Sequence, residues 1–175
     1  GIRGLIPAVA LGHIAAALGI APKGLPDLFH LIAGTSTGGI MAAGLAAPGA
    51  ADLVTELLGH GAATVEVVAA DLSRWEAVAR LVASVPPERA LTAVVHCAGL
   101  IQDGTIETQD QERLAAVFAP KLDAALHLDR ATERADLAAF VLFSSSAGVF
   151  GSAGQANYCA ANRALDALAQ DRQHR

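Results

Sequence analysis

Lys121, Ser145, Tyr158 and Asn162 are the residues whose types and spacing could do chemistry together. Ser145 stands thirteen residues before Tyr158, and Asn162 stands four after it, one helical turn further on. Reducing a carbonyl requires a proton donor as hydride arrives, and a tyrosine can serve when a nearby cation favours its charged form. A serine hydroxyl can hold the carbonyl oxygen. An amide can link lysine to solvent and so resupply protons. A second candidate lies earlier, in the turn Gly34-Thr35-Ser36-Thr37-Gly38. A G-x-S-x-G turn after a strand exposes its serine over a helix N-terminus, whose free N–H groups can hold an oxyanion. That chemistry is acyl hydrolysis with Ser36 as nucleophile, and it requires a partner base.

The elements around these residues alternate. The run Ala139 to Phe143 reads as a buried strand that ends in three serines and a Gly/Ser-rich loop, and the loop feeds an Ala-rich helix opening at Tyr158. In open α/β sheets, ligands bind at the carboxyl ends of strands, which places the first candidate where chemistry is expected. From the start of the chain, residues 4–18 have helical apolar spacing with Pro7 in the first turn. Residues 28–33 read as a strand running into Gly34 to Gly39 and a small-residue helix over 40–47, stopped by Pro48 and Gly49. A short helix over 50–61 and a β-branched strand over 64–70 follow, the strand closing on Asp71. Ser73 caps a helix through Val85, and Pro86-Pro87 breaks it. Residues 91–96 form another buried strand, with His96 read as a core histidine at its end. The acidic scatter at 103–112 reads as a solvated face, and a long helix from about Gln109 to Arg134 carries Lys121. This order implies an α/β fold, a three-layer parallel sheet of about 4–5 strands covered on both faces. Strand 64–70 is expected beside 28–33, with 92–96 on the other side and 139–144 after it.

Bulk properties narrow the function classes. The chain has 175 residues, and 53% are apolar, many of them alanine, so its core is made of small residues. Aromatics at 4% and a net charge of −5 argue against nucleic acid and anionic membranes as partners. No apolar stretch reaches about 18 residues, the length that would span a bilayer, and no signal peptide is read. The first residue is Gly1, so we expect the chain to begin inside a longer reading frame. Cys97 and Cys159 lack metal or redox spacing and are expected to be buried free thiols in a reducing cytoplasm. No metal site is expected.

Two family resemblances bear on these candidates. Gly1-Ile-Arg-Gly-Leu-Ile-Pro, followed later by Asp27-Leu-Phe-His-Leu-Ile-Ala-Gly-Thr-Ser-Thr-Gly-Gly-Ile, resembles the start of patatin-like phospholipases over about residues 1–48. The resemblance implies Ser36 as nucleophile and Gly1, Arg3 and Gly4 as the end of an oxyanion segment. The family's partner aspartate, in Asp-Gly-Gly or Asp-Gly-Ala, has no match in Asp103-Gly104-Thr105. Residues 92–99 (TAVVHCAG), Pro120-Lys121-Leu-Asp-Ala-Ala, Phe143-Ser-Ser-Ser-Ala-Gly and Gly154-Gln-Ala-Asn-Tyr158-Cys-Ala-Ala-Asn162 resemble the ketoreductase domain of modular polyketide synthases. These are members of the short-chain dehydrogenases, and the likeness covers about residues 49–175. It implies a Rossmann-like fold and NADPH as cofactor. It also implies Tyr158 as proton donor, Ser145 as carbonyl holder and Lys121 with Asn162 in support. Asp71 would lie near the adenine, with Ala98, Gly99, Lys121 and Tyr158 along the dinucleotide. The implied substrate is a β-keto acyl thioester on an acyl carrier. Ile101-Gln102-Asp103 falls where one stereochemical class carries Leu-Asp-Asp, while Ala153 stands where that class has proline.

That family opens with a strand and a T-G-G-x-G-x-x-G phosphate loop. Here the patatin-like piece takes their place, and the chain stops at Arg175. The expectation is therefore a chimera or truncated fusion, one continuous domain made of segments 1–48 and 49–175. NADPH should bind weakly, because Ser36 and Thr37 put side chains where a dinucleotide loop is bare. The rival readings are a serine acyl hydrolase using Ser36 and a folded chimera without catalysis.

Overall fold

The computed structural model describes residues 70–175, together with Thr55 and residues 66–68. The expected helices over 4–18 and 40–47, the strand over 28–33 and the Ser36 turn lie outside the described residues. So do most of the helix over 50–61 and part of the strand over 64–70.

Two parallel strands form the described sheet. Strand β1 (Ala93–His96) pairs in parallel with β2 (Ala139–Leu142), Ala93 opposite Ala139 and His96 opposite Leu142. Every residue of β1 is buried, as a run of alanine and valine covered on both faces requires. Parallel neighbours need a long crossover, and residues 97–138 supply it. The expected adjacency of the strands over 92–96 and 139–144 is thus observed. The described sheet has two strands, and the expected strand over 28–33 lies outside the described residues. Residues 66–68 and Ala70 carry no strand, and Val67 and Val68 are exposed. Strand propensity measures fit to a pleated, half-buried surface, and among the described residues no strand lies alongside these β-branched positions.

Helix α1 (Trp75–Ala83) buries Ala77, Val78 and Leu81. It stops where the Ser84 hydroxyl donates to Leu81 O, just before Pro86. Ser73 is not its cap, contrary to expectation. The flanking residue is Arg74, and Ser73 instead donates its N–H and its hydroxyl to Asp71 Oδ1, at 3.1 and 2.6 Å. The carboxylate forms a turn ahead of the helix, which a side chain two residues away does more readily than a cap.

The long central helix is there, with an interruption. Helix α2 (Gln111–Phe118) is capped by Asp110, whose carboxylate accepts the Arg113 N–H at 2.8 Å. A π turn follows over Ala119–Asp123, and α3 (Ala124–Ala131) completes the rod. Pro120 has no N–H to offer an α-helical ladder, and the Ala124 N–H reaches back to Ala119 O to close the wider turn. A four-residue α4 (Ala147–Phe150) and the long α5 (Ala156–His174) end the chain. Helix α5 opens two residues before the expected Tyr158.

The main apolar cluster joins Leu72, Val78, Leu81, Leu91, Val94, Ala124 and Leu128. A smaller one joins Ala125, Leu165 and Leu168, with Leu122 and Leu142 against it. At the far end of α5, Arg172 bonds Asp129 and lies over the Phe140 ring, 4.3 Å from its centroid, while Arg175 reaches Asp129 Oδ2 at 2.9 Å. These contacts fasten α5 to the end of α3.

Candidate active site

Four elements meet at the carboxyl ends of β1 and β2. Lys121 sits in the π turn and is only 3% exposed. Its Nζ donates to Phe143 O at 2.9 Å, just past β2, and stands 5.4 Å from the centroid of the Tyr158 ring. Burial lowers its pKa from the ordinary lysine value, with Cys97 and Asp166 opposing the shift. Tyr158 is half-buried in the first turn of α5.

Asn162, fully buried, donates from Nδ2 to Tyr158 O at 2.7 Å, and its Oδ1 has no hydrogen-bond partner among the described residues. It makes no hydrogen bond to Lys121 among the described residues, so the expected supporting pair meets around Tyr158 rather than directly. Ser145 follows β2, and its Oγ accepts the Ala147 N–H at 3.2 Å, which leaves the hydroxyl hydrogen free to donate. The neighbouring Ser144 hydroxyl donates to Asn162 O at 3.2 Å and ties the serine loop to α5. A Cβ on Gly148 would come within 3.1 Å of Arg163 N and 3.2 Å of Asn162 Cβ, so glycine lets α4 press onto α5 beside Asn162.

Three bonds not expected from sequence hold the start of α5. Asn157 Nδ2 donates to Gln102 O at 3.0 Å, and Gln155 Nε2 donates to Asp103 Oδ1 at 3.0 Å. The Gly104 N–H donates to Gly154 O at 2.8 Å, where Gly154 has a positive φ of 73°. These bonds tie the start of helix α5 to the Ile101-Gln102-Asp103 segment. The amide residues Gln155 and Asn157, packed just before Tyr158, were the available signal. The carboxylates of the acidic scatter are exposed, as expected, but Asp103 and Asp110 also serve as anchors.

Of the positions assigned to a dinucleotide, Ala98 is buried and Gly99 exposed, both just past β1. Asp71 is exposed and held by Ser73. Ser36 lies outside the described residues. His96 is a core histidine, as expected, fully buried with its ring pKa lowered by burial. The cysteines are free but not buried. Cys97 is exposed where the chain leaves β1, and Cys159 is half-exposed on α5. No cluster of side chains suited to a metal occurs among the described residues, and none of their helices is long and apolar enough to cross a membrane.

The chain is similar to known proteins. Residues 30–175 match the KR domain family, a span that begins inside the segment 1–48, which was expected to be patatin-like. A spectinabilin polyketide synthase system protein of Streptomyces orinoci is 55% identical over 126 residues, 72% of this chain and 6% of that protein. A phenolphthiocerol synthesis polyketide synthase of Mycobacterium marinum is 40% identical over 99% of this chain and 8% of its own length. Among solved structures, the ketoreductase from the first module of phoslactomycin biosynthesis in Streptomyces sp. HK803 is 43% identical with a TM-score of 0.69, over 74% of this chain and 30% of that one. A C2-type ketoreductase of a modular polyketide synthase is 39% identical with a TM-score of 0.68, over 85% of this chain and 31% of that one. The chain thus spans under a tenth of these synthases and under a third of these solved chains. With the family matched over most of its length, and with the lysine, serine, tyrosine and asparagine gathered at one sheet edge, the chain belongs to the ketoreductase (KR) domain family of polyketide synthases.

Proposed function

We propose that the Lys121–Ser145–Tyr158–Asn162 corner reduces the keto group of a β-keto acyl thioester presented on an acyl carrier, with NADPH as reductant. The observation that carries this reading is Lys121 Nζ, held by Phe143 O at 2.9 Å and 5.4 Å from the centre of the Tyr158 ring. A buried ammonium beside a phenol stabilises the negative charge that forms as the phenol gives up its proton.

The residues present fit a dinucleotide at this corner. Gly99 offers bare, exposed backbone, and a Cβ there would come within 3.5 Å of Lys121 Nζ. Ala98, Gly99, Lys121 and Tyr158 would hold the nicotinamide half, and Asp71 the adenine half. When bound, NADPH supplies the hydride. Tyr158 gives its phenolic proton to the carbonyl oxygen, and Ser145 donates its free hydroxyl hydrogen to the same oxygen, fixing the carbonyl's orientation. The unpartnered Asn162 Oδ1 supports a place for a water at the base of Tyr158 that returns the proton. In keeping with Ser36 and Thr37 in the Gly34 to Gly39 turn, NADPH affinity should be weak.

The test is NADPH consumption, followed by absorbance, with a β-keto acyl N-acetylcysteamine thioester. Tyr158→Phe should lower turnover by about a hundred- to ten-thousandfold, the range for losing a general acid. Turnover unchanged in Tyr158→Phe would sink the assignment.

A further inference from the structure

We infer that His96 is a positioning residue for Lys121: its imidazole fixes the π turn that aims the ammonium at Tyr158. The inference rests on the reductase reading above for its catalytic meaning, but its geometry stands apart from it.

Three hydrogen bonds close a ring through three elements. The Phe143 N–H donates to His96 O at 2.9 Å, extending the β1–β2 ladder by one step. Lys121 Nζ donates to Phe143 O at 2.9 Å. His96 Nε2 lies 2.8 Å from Lys121 O. A carbonyl only accepts, so His96 carries its proton on Nε2. Lys121 is thereby held at both ends, its carbonyl by His96 and its ammonium by Phe143, and both anchors belong to adjacent residues of one parallel ladder. The turn needs such an anchor. It contains Pro120 and closes through a wide Ala124-to-Ala119 bond, so the helical ladder alone does not fix how Lys121 is rotated.

His96 is a costly residue to keep there. It is completely buried, at 0% exposure, and its Nδ1 has no partner among the described residues. A buried, half-satisfied ring at the end of an Ala-Val-Val strand calls for a reason beyond packing, and the bond to Lys121 O supplies one. The groups facing Lys121 from the surrounding elements are Cys97 after β1 and Tyr158 and Asp166 on α5.

Three measurements test this. Long-range ¹H–¹⁵N NMR of the wild-type chain should show the Nε2–H tautomer for His96, with Nδ1 bare; an Nδ1–H tautomer overturns the inference without any variant. Next, the sequence has two lysines, Lys23 and Lys121, so ¹³C NMR can follow the titration of Lys121 alone. In His96→Gln, whose amide N can reach the place of Nε2, that titration should stay as in wild type. In His96→Met and in His96→Asn, which is too short, it should move toward the ordinary lysine value. Last, kcat should fall about ten- to a hundredfold in His96→Met and His96→Asn with KM changed less than about twofold, as expected for a misplaced catalytic group, and His96→Gln should restore it. Folded His96→Met or His96→Asn with wild-type kcat and wild-type Lys121 titration would overturn the inference. A wild-type chain that reduces nothing, while Lys121 still moves in His96→Asn, would sink the reductase reading and leave the positioning role standing.

Discussion

Strand β1 runs through two environments, and the contrast between them organises the molecule. Its first residues face a base of leucines and valines, where Val94 packs with Leu72, Val78, Leu81, Leu91 and Leu128. Its last residue enters a corner where His96, Lys121, Asn157 and Asn162 are all buried, beside a small cluster of Ala125, Leu165 and Leu168. The base is held by non-directional packing, which specifies volume and not the aim of any one atom. The corner is held by hydrogen bonds, each of which fixes one atom in direction. Buried polar groups cost free energy unless bonded, and the corner leaves His96 Nδ1 and Asn162 Oδ1 unbonded among the described residues. Apolar burial thus belongs mainly to the base, and the cost of unbonded buried polar atoms is borne at the corner.

The largest break in this comparison is Leu128→Ala. Leu128 is 1% exposed within the main cluster, and truncation should cost about 2–5 kcal/mol, read as a lower urea midpoint. A loss below about 0.5 kcal/mol, the ordinary range for a surface change, would mean that the base does not carry the fold.

Lys121→Met tests the corner in the opposite sense. Because burial lowers the Lys121 pKa in the fold, the unfolded chain binds that proton more tightly. At neutral pH the charge therefore works against folding, and stability should rise as pH climbs from the folded pKa toward 10.5, the value of a free lysine. Lys121→Met should be as stable as wild type or more so, while losing reduction by about a hundredfold or more. A stability loss of about 1.5–3 kcal/mol, the worth of a hydrogen bond to a charged group, would show that the Phe143 O contact is structural.

The smallest expected effect is an acid one. The His96 ring is held neutral by burial, its pKa below the usual 6.5. The unfolded chain takes up that proton first, so His96 leaves stability intact above 6.5 and lowers it as pH falls toward the folded pKa. Thermal melts between neutral and mildly acid pH should show a slope up to about 1.4 kcal/mol per pH unit steeper in wild type than in His96→Gln. Equal slopes would mean that the ring titrates as it would in water.

Much of this was legible in the chain itself. The apolar runs over 91–96 and 139–143 fixed two parallel strands, but only β1 is buried throughout, and β2, expected to be buried, is half-buried along its length, because cover on both faces depends on what packs against a strand. The spacing of Ser145, Tyr158 and Asn162 fixed a strand end and one helix face, because periodicity and local turn chemistry act over a few residues. Ser73 was misread as a cap because its hydroxyl and N–H donate to the Asp71 carboxylate instead, and the thiols were misread as buried because apolar neighbours in sequence do not guarantee cover in space. Residues 66–68 and Ala70 carry no strand for the same reason, since pairing is a property of two segments. What only the tertiary structure decided is how Lys121 is aimed. The π turn, the His96 bond to its carbonyl and the Phe143 oxygen that receives its ammonium join residues separated by up to 47 positions. No local pattern encodes them, because each exists only once β1, β2 and the central helix have packed together.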